Sequence, residues 1–128
     1  MDYKIIDLFM KENDAWDDMI TRQSQEIPTL ERTLSEIFSS KKGAGTETLS
    51  NVRYFRLEMQ SQEKEMAELK NALADQQTLL AREKKVDNDP FAIKTVNSQN
   101  ILRERIKKVQ RTFLDLKCNF LNYLATLL

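Results

Sequence analysis

Histidine is absent from this chain of 128 residues, and cysteine occurs once, at Cys118. Without histidine the commonest general base is missing. Neither a Ser-His-Asp nor a Cys-His arrangement can be assembled. A zinc site normally draws on histidine or several cysteines, so no metal site is expected. The Glu-x-x-His pattern of di-iron bundles is excluded outright. One cysteine makes no internal disulfide, so nothing of that kind points outside the cell. Met1-Asp2-Tyr3-Lys4 lacks the basic-then-apolar layout of a signal peptide. No apolar run approaches the ~20 residues that span a bilayer. These features together give the expectation of a cytoplasmic protein without cofactor, small-molecule substrate or membrane partner.

Glycine is equally scarce, with 2 residues, Gly43 and Gly45. Gly43-Ala44-Gly45 is not followed by the Gly-Lys-Ser/Thr of a phosphate-cradling loop, and it reads as a turn. The other breakers are Pro28 and the run Asp87 to Pro90. Two of these three places divide the chain into segments 2–42, 46–86 and 90–127. Each has about 40 residues, or ~60 Å as an α-helix. Near-equal lengths with short connections predict a single all-α domain over 1–128: an elongated, antiparallel up-down-up bundle of three long helices. The ends carry matching signals. Lys41 and Lys42 precede Gly43, and Lys84 and Lys85 close the second segment, where a helix dipole favours cations. Thr46 reads as an N-cap with Glu47 in the first turn, and Asp89-Pro90 as a cap followed by proline at the first helical position.

Apolar spacing supports the same division. The second segment has core-type positions at Val52, Phe55, Met59, Gln62, Met66, Leu69, Leu73, Gln76 and Leu80. The third has them at Leu102, Ile106, Val109, Phe113, Leu116, Phe120, Tyr123 and Leu127. Steps of 3 and 4 alternate throughout, which predicts coiled-coil-like packing. The first segment is less regular: Phe9, Trp16, Ile20, Gln23, Ile27, Leu30, Leu34 and Ile37 form one stripe that Ile5 and Ile6 enter. Pro28 interrupts it without a phase slip. An interior proline costs roughly 3 kcal/mol, so the helix is expected to kink there. The alternative is a break that makes four helices. Gln62 and Gln76 stand among polar neighbours, which favours exposed turns over buried, register-setting amides.

Charge is balanced overall at 20 basic and 20 acidic residues, but not locally. Residues 1–40 hold 9 acidic and 4 basic side chains, 4 − 9 = −5, and residues 91–128 hold 7 basic and 2 acidic, 7 − 2 = +5. An acidic first helix beside a basic third is expected to select topology. The stretch Arg103 to Arg111 would suit nucleic acid, yet no aromatics are interleaved with its cations, so that reading ranks low.

The C-terminal third carries the candidate site. Leu114, Leu121, Leu124 and Leu128 widen the apolar arc of the third helix to about half its circumference. They are expected to form a contact for a protein partner or for a second copy, with Tyr3 and Trp16 extending the patch. Cys118 is expected to be small, inert and half-buried. The acidic clusters Asp14-Asp17-Asp18 and Asp87-Asn88-Asp89 read as a solvated helix face and a loop. With no catalytic constellation, the leading expectation is a non-enzymatic interaction module: an adaptor, scaffold or helical chaperone. The alternative is a self-assembling structural homodimer. The architecture is similar to spectrin-type repeats, syntaxin regulatory domains and small helical secretion chaperones. No motif matches any of them residue by residue, so the likeness implies no site.

Overall fold

The computed structural model describes residues 3–40, 45–85 and 89–127. Three α-helices account for almost all of them: α1 (Tyr3–Ser39), α2 (Thr46–Lys85) and α3 (Asp89–Thr126). The helix ends fall within a few residues of the expected boundaries. Lys41, Lys42 and Gly43, read as the close of the first helix, lie outside the described residues. At the start of α2 the cap differs by one position. The Leu49 N–H donates to the Gly45 carbonyl at 3.0 Å, so Gly45 occupies the cap and Thr46 is the first helical residue. Glu47 stands in the favourable first turn, and Arg82, Lys84 and Lys85 face the negative end of the dipole.

Pro28 does not divide α1, which is one helix from Tyr3 to Ser39. The four-helix alternative is therefore not realised. Pro28 is exposed while its neighbours Ile27 and Leu30 are buried. Packing of Ile27 and Leu30 on the inner side holds the helix through the lost hydrogen bond.

α2 packs along both other helices, whereas α1 and α3 approach each other in fewer places. Cross-helix bonds give the directions. Lys84 meets Asp7, and Lys70 meets Asp17 and Thr21, so α1 and α2 are antiparallel. Arg103 meets Glu12 and Lys117 meets Glu26, so α1 and α3 are parallel. The order is up-down-up.

All nine expected core positions of α2 are buried, the two glutamines included. On α3, Leu102 to Phe120 are buried, while Tyr123 and Leu127 are only partly so. Ile6 is buried but Ile5 is 41% exposed, so only one of the pair enters the core. Asn13, at 1% exposure, fills the gap in the α1 stripe between Phe9 and Trp16. With it counted, the inward positions of α1 step by 3 and 4 from Ile6 to Ile37. The core is dense and aromatic at one end. Phe55 meets Phe120 edge-on at 5.2 Å and Tyr123 at 5.3 Å between ring centres.

Candidate interaction surface

Toward the end where α1 and α3 begin, polar side chains enter the core among Ile6, Leu73 and Leu80. Gln76, Gln99 and Asn13 are buried, and they are joined across three helices. Gln99 Nε2 donates to Asn13 Oδ1 and Glu12 Oε1, both at 2.8 Å. Gln76 Nε2 donates to Gln99 Oε1 and to the Thr95 carbonyl, both at 3.2 Å. Asn13 Nδ2 donates to Gln77 Oε1 at 3.1 Å, and Gln77 Nε2 donates to Asp14 Oδ1 at 3.0 Å. Further along, Gln62 Nε2 donates to the Val109 carbonyl at 3.0 Å. The expectation of exposed turns at Gln62 and Gln76 is thus corrected. Ser61, Lys64 and Asp75 face outward and Gln77 turns to α1, while the two amides point inward to partners on α3. Burial is tolerable because those partners restore bonds lost to water.

One step nearer the end of α2, the Thr95 hydroxyl donates to buried Glu83. The other carboxylate oxygen of Glu83 has no hydrogen-bond partner. Among the described residues no group of three or more His, Cys, Asp or Glu is placed to hold a metal ion.

Arg103 closes the polar layer on its outer side. It grips both oxygens of Glu12, at 2.7 and 3.0 Å, and donates to Asn100 Oδ1 at 2.6 Å. Its guanidinium lies over the Trp16 ring, 5.9 Å from the centre. Burial acts to raise the Glu12 pKa, but the bonds from Arg103 and Gln99 and the charge of Arg103 outweigh it and hold the carboxyl below its usual value. On the other side of α1, Glu31 is pushed the opposite way, up to about 7. Its hydrogen bond with Glu63 is the largest cause, followed by burial and the Glu63 charge, with Arg56 opposing.

The charge bias between α1 and α3 is used only in part. Arg103 and Lys117 answer acids of α1, but Arg105 pairs with Glu65 of α2 and Lys107 with Glu104 of its own helix. Asp7 and Asp17 turn to lysines of α2. Each helix presents two flanks, and the acids of α1 are shared between two neighbours.

The four candidate leucines separate into three groups. Leu114 and Leu121 are exposed, at 50% and 49%. Leu124 is partly buried and packs against the core. Leu128 lies outside the described residues, as does the Tyr3 side chain. Seven residues apart, Leu114 and Leu121 share one row of α3, and Ile93 lies on the same row. Cys118 is exposed, not half-buried as expected, because it lies on the face of α3 directly opposite the core. Trp16 packs against the core beneath Arg103 and does not join the leucines. Exposed apolar residues absent from the sequence reading are Leu8, Phe38, Tyr54, Leu57, Ile93, Val96 and Ile101. They break the repeat of 3 and 4, which is the signal that marks them as outward.

Among the described residues no helix is long and apolar enough to cross a membrane. Comparison with known proteins returns no match to a family model, a curated protein or a solved structure.

Proposed function

We propose that this chain is a non-enzymatic protein-protein interaction module, an adaptor, scaffold or helical chaperone that offers an apolar face of α3 to a partner. The observation that carries the reading is the exposure of Leu114 and Leu121 on one row of α3. Phe113, Leu116 and Phe120 already fill the core at that level, so the fold does not need these leucines. Exposed apolar surface of this kind marks contact sites. The helices are read as a coiled-coil-like frame that holds the face rigid. The exposed thiol of Cys118 suits a reducing compartment, in keeping with a cytoplasmic protein. Binding of nucleic acid is disfavoured, since Arg103, Arg105 and Lys107 are engaged by carboxylates.

Self-association is the second reading. Cys118 and Ala125 are exposed on the same side as Leu114 and Leu121. The four step by 4, 3 and 4, the spacing of a helix-pairing seam.

The double substitution Leu114→Gln/Leu121→Gln tests the module. Circular dichroism and the thermal midpoint should stay as in the native chain, while capture of partner proteins is lost. A large fall in midpoint would show that the leucines belong to the core and end the proposal. Light scattering on the native chain separates the readings: a monomer leaves the face for another protein, and a dimer that the substitution dissociates favours self-association.

A further inference from the structure

The open side of the bundle is the seam between α1 and α3. Glu12–Arg103 and Glu26–Lys117 cross it, each joining residues 91 apart. That offset sets Ile5 level with Val96 and Met19 level with Gln110. Ile5 and Val96 thus leave an exposed apolar stretch ahead of the first ion pair, and half-buried Met19 stands beside Gln110 between the two. Trp16 and Met19 lie in its floor, packed against the core. At its outer edges stand four exposed apolar residues: Leu8 on α1, and Ile93, Leu114 and Leu121 on α3.

The charge beside this seam differs from what α1 carries as a whole. Most acids of α1 are turned to α2 or spent on Arg103 and Lys117. The exposed charges bordering the seam are Lys11, Arg22, Arg32 and Arg111, against Asp18 and Glu36, beside the mutually bonded pair Lys107 and Glu104. Glu104 is already bonded to Lys107 at 3.3 Å. The border is cationic.

We infer that the α1/α3 seam is a docking groove for an amphipathic helix with acidic flanks, supplied by another protein and laid along the seam as a fourth helix. The inference rests on the interaction-module reading and names its partner's chemistry. An apolar stripe would cover Leu8, Ile93, Leu114 and Leu121, and carboxylates on either side would meet Arg22 and Arg111. A second copy fits less well. Two such seams face to face would bring the cations of one copy against those of the other.

The test uses the only tryptophan of the chain, Trp16. Its ring lies in the seam, so a helix that docks there changes its emission. The probes are two synthetic amphipathic peptides of about four to five heptads with the same leucine face. One carries glutamates on its flanks and the other lysines. The glutamate peptide should saturate the emission change, bind about tenfold or more tighter than its twin, and weaken as salt is raised. The variant Arg22→Glu/Arg111→Glu alters only exposed side chains and should reverse the preference. Equal affinity for both peptides, or binding of neither, overturns the acidic helix. So does a preference that the charge reversal leaves unchanged. Failure of the broader reading looks different. If Leu114→Gln/Leu121→Gln leaves binding of both peptides untouched, the leucine face is not the contact. If peptides of either charge bind and that variant abolishes it, the module stands and only its acidic partner is lost.

Discussion

The two ends of this bundle are held together by different physics. At one end, Val52, Phe55, Phe113, Phe120 and Leu34 meet in an apolar layer that includes edge-on aromatic contact. At the other, Asn13, Gln76, Gln99, Thr95 and Glu83 occupy equivalent inward positions and are linked by hydrogen bonds. Apolar burial is strong and non-directional: it favours any arrangement that excludes water. A buried amide favours one arrangement, because sliding a helix by one turn would strand its donors. The aromatic end therefore supplies most of the stability, and the polar end specifies which residues of α1, α2 and α3 stand level.

The largest expected effect lies at the aromatic end. Phe120 is fully buried against Phe55, so Phe120→Ala should cost about 3–5 kcal/mol through lost burial and the cavity left behind. Chemical denaturation measures it. A loss below about 1 kcal/mol would mean that this layer does not dominate.

The next effect separates stability from specification at the polar end. Gln99→Ala leaves Gln76, Asn13 and Glu12 short of partners and should cost about 1–3 kcal/mol. Replacing Gln76 and Gln99 together by Leu removes the unmet groups as well as the bonds. That variant should be as stable as the native chain or more so, yet populate more than one arrangement. A lowered denaturant slope and broadened amide spectra would show it. A single, sharply ordered species would argue that the network specifies nothing.

The smallest effect depends on pH and lies between α1 and α2. Glu31 titrates near 7 when folded, against an ordinary value of 4.5. Between these values the unfolded chain has released its proton while the folded chain retains it. The contribution of this pair to stability is therefore full at low pH and lost as pH rises through about 7. Glu12 has the opposite sign: its lowered pKa gives stability above 4.5 that is lost in acid. Glu31→Gln should raise the melting temperature at pH 8 and change it little at pH 4. The same shift at both pH values would contradict the shared proton.

The helices and their apolar core were legible because one period runs through each segment, and Val52 to Leu80 follow it without exception. The polar layer was legible in principle. Asn13 completes the α1 stripe, Thr95 and Gln99 extend the α3 stripe backwards from Leu102, and Glu83 extends the α2 stripe beyond Leu80. A reading that weights apolar residues stops at the first polar one, although the period continues. Partners were not legible. The acids of α1 can turn to α2 or α3, and their total charge does not say which, so Arg105 met Glu65 and the α1/α3 seam kept a cationic border. The separation of Leu124 from Leu114 and Leu121 was legible too, since Leu124 falls on the row of Arg103 and Lys117 that flanks the core, and the other two lie one row further out.

Residue-resolved amide hydrogen exchange on the native chain tests the division between the two ends most directly. Amides of 52–59 and 113–120 should exchange only with global unfolding. Those of 76–83 and 95–103 should exchange through smaller openings, with protection lower by about tenfold or more. Equal protection along all three helices, or slower exchange at the polar end, would contradict the account.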